Sequence, residues 1–216
     1  MFSRVVIFQQ NFKIIWQDEN FLVVDKPPKI LVHPSLDRSR PDLQSLIQIE
    51  FPEARLLHRL DFGTSGILVF GFSKTAQELL TQAEKFYFCM VEGQLLKQGL
   101  VKFYLKDKRG KVQSVRSGGK VAITELNTVH FNSTYSLVRA RLITGRRHQI
   151  RVSLAEAKCP IVGDYLYGGR PYDRLMLHAA AMILDGRLLL SSIPNSFKKE
   201  FPEFDFSAYS CFFTDK

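Results

Sequence analysis

Short runs of apolar, β-branched and aromatic residues recur along the chain, and most of them are bounded by Gly, Pro, Asn or Asp. Such runs are typical of β-strands separated by turns. They predict strands over residues 21–24, 67–70, 86–91, 101–105, 121–129, 135–142 and 188–190. Together these strands would form one large sheet.

Helical periodicity is found in three places. Residues 75–78 have the pattern of a capping box, and apolar residues at positions 76, 79, 80 and 83 share one helical face. A second helix is predicted to begin near Asp42, and a third to follow Gly145 and stop before Pro160. Strands that do not alternate regularly with helices favour an α+β protein, with a large mixed, mainly antiparallel sheet and flanking helices and loops.

The composition is that of a globular protein. The 216 residues contain no internal repeat, low-complexity tract or Gly/Ser/Pro linker, so we predict a single domain over residues 1–216. Three widely spaced cysteines indicate thiols without a disulfide framework or a paired-cysteine zinc site. The apolar run at residues 5–8 is too short for a signal peptide, and no later run reaches membrane-spanning length. We therefore expect a cytoplasmic protein.

Positive charge adds a candidate partner. Lys and Arg number 30 against 21 Asp and Glu, a formal net charge of +9 that favours a polyanion such as nucleic acid. From Lys97 to Lys120 there are eight basic residues and one acid, Asp107. This basic stretch could line a phosphate backbone. The alternative is a solvated loop, because like charges favour exposure whether or not anything binds them.

Two polar segments carry candidate chemistry. Asp61 lies in a Gly-containing loop directly before the predicted strand 67–70, and sites are often built at such junctions. Taken alone, such an aspartate is more often a turn or salt-bridge residue. Residues 144–151 concentrate cationic and polar donors between a strand and a helix, which favours an anionic partner. Arg151 follows the inward-facing Ile150, so its guanidinium should lie at the edge of the core and need a partner.

Together the two segments resemble the signature motifs of the RluA-type pseudouridine synthase family. The first, His-Arg-Leu-Asp followed after two residues by Thr-Ser-Gly, occupies residues 58–66, and the second, Thr-Gly-Arg-x-His-Gln-Ile-Arg, occupies residues 144–151. Shorter similarities at residues 25–27, 32–34, 85–93, 119–124, 160–164, 167–168 and 177–179 extend the match over about residues 14–200.

The chain also departs from the family's pattern. Ser153 stands where the family commonly has His, and the spacer between Gly66 and Tyr87 is short. No basic RNA-binding domain precedes the motifs, so we expect the bare catalytic domain.

The resemblance implies the pseudouridine synthase fold, with a central active-site cleft, and an enzyme that isomerises specific uridines in structured ribosomal or transfer RNA. The reaction breaks the N1 glycosidic bond and joins C5 to the ribose C1′, so neither a cofactor nor a metal is expected. The family's essential aspartate maps onto Asp61, which acts either as nucleophile at C1′ or as base at C2′. Arg151 matches the arginine that pairs with this aspartate, and Tyr87 matches the active-site tyrosine.

A base stacked in RNA must be flipped out before a carboxylate can reach its sugar. Arg59 is the candidate to fill the vacated gap, because a guanidinium stacks like a base. The other predicted RNA contacts are polar or basic residues of the same motifs: His58, Thr64, Arg146, His148, Gln149 and Lys120. RNA is the expected partner of a monomer that needs no protein partner.

Two other functions fit parts of the sequence. A catalytically inactive RNA-binding or RNA-chaperone protein on the same fold would use the basic stretch without modifying a base. A glycoside hydrolase would need a second carboxylate opposite Asp61, and no acidic residue stands out for that role. The presence of Asp61, Tyr87 and Arg151 in their family contexts favours the enzyme.

Overall fold

A computed structural model describes residues 12–37, 39–108 and 110–213. The strands are β1 (Lys13–Gln17), β2 (Phe21–Lys26), β3 (Arg55–Leu56), β4 (Ser65–Gly71), β5 (Glu84–Glu92), β6 (Gly99–Lys108), β7 (Lys111–Val115), β8 (Lys120–Phe131), β9 (Tyr135–Leu142), β10 (Leu177–Leu184) and β11 (Arg187–Leu190). The helices are α1 (Leu43–Glu50), α2 (Lys74–Gln82), α3 (Gln149–Glu156) and α4 (Asn195–Glu200), followed by a 3₁₀ turn over Tyr209–Phe213.

All of these strands belong to one mixed sheet. They follow the order β1-β2-β4-β10-β5-β9-β8-β6-β7, with β3 paired to β4 and β11 paired to β10. Within the described ranges each strand pair is antiparallel except β4 with β10. The predicted α+β class with a mainly antiparallel sheet is confirmed.

The two faces of the sheet have different roles. On β5 the ring of Phe88 packs against aromatic side chains of the C-terminal segment, among them Phe206 and Phe213. Successive side chains of a strand point to opposite faces, so the neighbouring Tyr87 is directed to the other side of the sheet. That second face is the one on which α3 contacts β6, β7 and β8. It is also the face on which the predicted catalytic residues gather.

The seven predicted strands are all present, as β2, β4, β5, β6, β8, β9 and β11. The helix predicted near Asp42 is confirmed, and the Asp42 carboxylate caps it by accepting the Ser45 N–H at 2.9 Å. The helix after Gly145 is confirmed as α3. The capping box at residues 75–78 is wrong. Helix α2 begins earlier, because the Ser73 hydroxyl already accepts the Ala76 N–H at 3.1 Å.

Some sequence predictions concern parts of the chain that the structure does not describe. The apolar run at residues 5–8, on which the expectation of no signal peptide depends, lies outside the described ranges. Among the helices that are described, none has both the length and the apolar character to cross a bilayer. A single sheet and one large hydrophobic cluster extend through the described residues. The single domain over residues 1–216 stays a prediction.

Gly66 explains why the first motif ends in glycine. Its φ is +108°, and a Cβ placed on it would lie 2.2 Å from the carbonyl oxygen of Ala179, on the parallel neighbour β10. We expect Gly66→Ala to lower the free energy of unfolding by about 3 kcal/mol, because neither backbone can move without breaking the pairing.

Urea denaturation measures this loss, and Gly93→Ala is the matched control. Gly93 also has a positive φ, +72°, but no atom lies within 4 Å of an added Cβ. The free energy of unfolding of the control should fall by only about 1 kcal/mol, the cost of backbone strain alone. Equal losses in the two variants would show that the contact with Ala179 does not determine the residue.

Candidate active site

The loop before β4 and the first turn of α3 bring Asp61 and Arg151 together. Arg151 Nη1 donates to Asp61 Oδ2 at 2.7 Å, while its Nε and Nη2 donate to both oxygens of Asp164 at 2.7 and 2.8 Å. The Asp164 side chain is fully buried. Burial alone would lower the pKa of Arg151, but Asp164 and then Asp61 raise it, so the guanidinium stays charged. Asp164 thus fixes Arg151, and Arg151 fixes one oxygen of Asp61.

Lys26 holds the loop that carries Asp61. Its buried Nζ donates to the carbonyl oxygens of Thr64 at 2.7 Å and Pro27 at 2.9 Å, with Phe62 at 3.4 Å. The Thr64 N–H closes the loop by donating to the Asp61 carbonyl at 3.0 Å. Burial, with the nearby Arg174 charge, lowers the pKa of Lys26 to about 7. The main chain from Asp61 to Thr64 is therefore fixed.

Gln149 holds the second motif. Its Oε1 accepts from the Thr144 hydroxyl and the Arg146 N–H, both at 2.9 Å, and its Nε2 donates to the Ile123 carbonyl and the Thr124 hydroxyl, also at 2.9 Å. Gln149 was predicted to contact RNA. Because its amide is buried and engaged in four internal hydrogen bonds, we assign it to shaping the loop instead.

The bend of this loop directs His148 towards Asp61. His148 has a left-handed backbone, with φ at 53°, and immediately precedes α3. Its Nε2 lies 3.5 Å from Asp61 Oδ1, and its Nδ1 lies 2.9 Å from the Tyr167 hydroxyl oxygen. Burial lowers the pKa of His148, against the opposing effect of the Asp61 charge. The imidazole is therefore neutral near pH 7.

A cavity of about 310 Å³ opens above these groups. Asp61, Tyr87 and Arg151 all line it, together with the buried apolar side chains of Leu60 and Ile150. This volume lies at the small end of the range for ligand sites, so it suits a single nucleotide better than a stacked pair. Leu60 and Ile150 thus form an apolar wall of the cavity.

Tyr87 contributes a protonated hydroxyl to the cavity. The residue is only 7% exposed, and its strand neighbours are the small residues Ala140 and Ala179. Small neighbours leave space for the ring. Burial raises the pKa of Tyr87, and the negative charge of Asp61 raises it further, so the phenol keeps its proton at neutral pH.

The other predicted contacts are spread around this centre. Arg59 is exposed at the mouth of the cavity. Thr64 lines it, and its buried Oγ1 has no hydrogen-bond partner among the described residues. His58 also lines it, although its Nε2 accepts the Val69 N–H of β4 at 3.1 Å. Arg146 lines both this cavity and a neighbouring groove. Lys120 lines the groove but not the cavity.

The neighbouring groove runs between the loop at 145–147 and the β6–β7 hairpin, which spans residues 99–115. Its volume is about 410 Å³, and its walls include Lys106, Lys120, Arg146 and Arg147. Arg147 pairs with Asp107 and donates to the Gly110 carbonyl at 2.8 Å. The basic stretch thus forms a hairpin and the start of β8, with Lys106 and Lys120 exposed beside the cavity.

Sequence reasoning did not assign roles to Lys26, Asp164 or Tyr167. All three lie in the shorter family similarities, at residues 25–27, 160–164 and 167–168, and that position was the available signal. Ser153, the departure from the family's histidine, is fully buried with its hydroxyl 3.4 Å from the Thr124 hydroxyl. It faces the interior beneath α3 and is not among the residues that line the cavity.

Comparisons with known proteins agree with the motifs. A family model described as RNA pseudouridylate synthase matches residues 20–156. RNA pseudouridine synthase YhcT of Bacillus subtilis is 34% identical over 196 residues, which cover 82% of this chain and 65% of that protein. Ribosomal large subunit pseudouridine synthase D of Haemophilus influenzae is 33% identical over 172 residues, 73% of this chain and 53% of that protein. The chain thus spans between about half and two thirds of these relatives.

Two solved human structures have the same fold. RNA pseudouridylate synthase domain containing 4 superposes with a TM-score of 0.73 at 25% identity, covering 88% of this chain and 91% of that one. RNA pseudouridylate synthase domain containing 1 gives a TM-score of 0.70 at 25% identity, covering 88% and 86%.

Proposed function

The chain belongs to the RNA pseudouridylate synthase family, and from this premise we propose that it isomerises uridine to pseudouridine within folded RNA, with Asp61 as the catalytic carboxylate. One observation carries the proposal. Asp61 Oδ2 is held by Arg151 at 2.7 Å, Oδ1 accepts no hydrogen bond from the described residues, and Asp61 lines the same cavity as Tyr87. An anchored carboxylate with one available oxygen suits attack on C1′ and proton removal from C2′ equally well.

The chemistry needs only groups that the cavity provides. The N1–C1′ bond breaks, the uracil turns, and a C5–C1′ bond forms; the hydrogen on C5 leaves to solvent and N1 gains a proton. We assign Tyr87 two roles, stacking on the uracil and hydrogen bonding through its protonated hydroxyl. Leu60 and Ile150 keep the cavity apolar on one side, which limits attack of water on C1′.

Base flipping gives Arg59 and Thr64 their proposed roles. Arg59 lies exposed at the cavity mouth, where its planar guanidinium can take the place of the extruded base. Thr64 Oγ1 has no hydrogen-bond partner among the described residues, and we propose that it binds a polar atom of the entering nucleotide. His148, Arg146 and His58 complete the proposed contacts around the flipped nucleotide.

The relatives' names suggest the class of RNA and the setting. The Haemophilus influenzae relative is named for the large ribosomal subunit, so we propose ribosomal RNA before transfer RNA as the substrate. We also propose that the protein acts in the cytoplasm as a monomer. The glycoside hydrolase alternative receives no support from Asp164, because its side chain is fully buried and Arg151 occupies both of its oxygens.

Tritium release tests the function directly. RNA transcribed with tritium at uridine C5 is incubated with the purified protein, and wild-type protein should release tritium to water and leave pseudouridine that blocks reverse transcription after carbodiimide treatment. The same purification from cells without the gene controls for host enzymes. If the protein binds unmodified RNA tightly but releases no tritium from it, the inactive RNA-binding alternative is favoured.

RNA affinity should fall steeply with salt, because phosphate contacts release bound counterions. We expect Lys120→Ala to reduce the slope of log K against log salt by about 1, since Lys120 lies in the groove beside the cavity. Lys13→Ala is the matched control, because Lys13 lies on β1 at the far end of the sheet order. Fluorescence anisotropy at several salt concentrations measures both slopes, and equal slopes for the two variants would place the RNA outside the groove.

A further inference from the structure

Tyr167 contacts both side chains that flank Asp61. The Arg151 guanidinium lies 5.0 Å from the Tyr167 ring centroid, and the His148 ring meets it edge-on, with centroids 5.7 Å apart at 87°. The electron-rich face of the ring attracts the guanidinium. The ring therefore supports Arg151 independently of the hydroxyl.

The Tyr167 hydroxyl determines where His148 keeps its proton. This hydroxyl has one hydrogen, which it donates to the Val112 carbonyl at 3.1 Å. Its oxygen then accepts from His148 Nδ1, 2.9 Å away, so the neutral imidazole carries its hydrogen on Nδ1. The other nitrogen, Nε2, is left without a hydrogen.

The bare nitrogen is the one that faces Asp61. His148 Nε2 and Asp61 Oδ1 are 3.5 Å apart, and two acceptors at this distance form no hydrogen bond. Oδ2 is already bound by Arg151. Oδ1 thus stays available for the ribose, whereas an Nε2–H tautomer would donate to it and compete with the substrate.

Val112 connects this arrangement to the β6–β7 hairpin. It lies on β7 and packs in a small separate cluster with Leu105, Ala122 and Val152, against which Tyr167 also rests. Arg147, one residue before His148, pairs with Asp107 and the Gly110 carbonyl of the same hairpin. If the hairpin moves away, the Tyr167 hydroxyl loses Val112 and has His148 Nδ1 as its alternative acceptor. Nε2 then carries the hydrogen and engages Oδ1.

We propose that Tyr167 is a positioning residue for the uridine isomerisation, which keeps His148 in its Nδ1–H tautomer and Asp61 Oδ1 unengaged while the β6–β7 hairpin is docked. The proposal rests on the proposed function. It makes the basic hairpin more than a binding surface, because contact with RNA there would stabilise the state in which Asp61 can react.

Tyr167→Phe tests the proposal, because it removes the hydroxyl and keeps the ring. We expect kcat to fall about tenfold with KM unchanged within about twofold, since the loss concerns the reacting carboxylate and not RNA binding. Nitrogen-15 NMR of labelled histidine should show His148 as Nδ1–H in the wild type and Nε2–H in the variant. In a His148→Ala background, Tyr167→Phe should change kcat less than about twofold, because the two residues act in one chain.

Tyr135→Phe is the matched control. Tyr135 is the first residue of β9 and pairs with Glu92, at the opposite end of β5 from Lys85. Its substitution should leave kcat, KM and the His148 spectrum unchanged. An unchanged kcat in Tyr167→Phe would overturn the proposal, and so would a lower kcat with the His148 tautomer unaltered. The NMR measurement needs no turnover. A wild type that forms no pseudouridine but shows the Nδ1–H tautomer would therefore reject the function while leaving the hydrogen-bond chain intact.

Discussion

Asp61→Asn is expected to reduce pseudouridine formation by on the order of 10⁴-fold or more, while RNA affinity stays within about threefold of wild type. The amide keeps the shape of the carboxylate and still offers Arg151 an acceptor oxygen. It lacks the charge and basicity that attack at C1′ and proton removal at C2′ both require. Single-turnover tritium release measures the rate, and anisotropy with the same RNA measures the binding.

Asp173→Asn makes the same chemical change at an exposed aspartate and should retain full activity. Because Arg151 keeps its bidentate pair with Asp164, the Asp61 variant should also unfold at nearly the wild-type denaturant concentration. A correctly folded Asp61→Asn protein that still releases tritium within tenfold of the wild-type rate would disprove the assignment of the catalytic carboxylate.

The strands that the sequence predicted share a local signal, and β10, which it missed, lacks one. Strands such as β8 alternate or contain β-branched residues between turns, which is visible in one dimension. Strand β10 contains three consecutive alanines, a composition typical of helix, and becomes a strand because it lies between β4 and β5 in the middle of the sheet. Tertiary position decided its conformation, and no local pattern records tertiary position.

The candidate site divides in the same way. Asp61, Tyr87 and Arg151 were named from motifs, and the structure places them around one cavity. The residues that hold them were not named, because they act through contacts that are distant in sequence. Lys26 binds carbonyl groups 36 and 38 residues away, and Asp164 binds Arg151 13 residues away. Gln149 shows the converse case. The motif alone favours a contact with RNA, whereas two of its internal hydrogen-bond partners, Ile123 and Thr124, lie 26 and 25 residues away in the sequence and could not be read from the motif.

Arg151 links stability to reactivity, because it is shared between two carboxylates of unequal exposure. The Asp164 side chain is 0% exposed and accepts two hydrogen bonds from Arg151. The Asp61 side chain is 21% exposed and accepts one. A fully desolvated charge depends far more on its partner than one that water reaches. The bond to Asp164 should therefore dominate stability, and the bond to Asp61 should dominate the reaction.

Arg151→Met separates these two effects. It leaves Asp164 as a buried charge without its partner, so the free energy of unfolding should fall by about 3–5 kcal/mol. Activity should fall at least about 100-fold at a temperature where the variant is folded, because Asp61 loses the contact that aims it. Urea denaturation and single-turnover tritium release give the two quantities.

Adding Asp164→Asn to Arg151→Met removes the buried charge, so most of the lost stability should return. The activity should not return, because nothing in the double variant orients Asp61 Oδ2. Recovery of both properties would mean that Arg151 serves only the fold. If Arg151→Met alone were as stable as wild type, the pair with Asp164 would contribute nothing to stability, and the division of roles between the two carboxylates would be wrong.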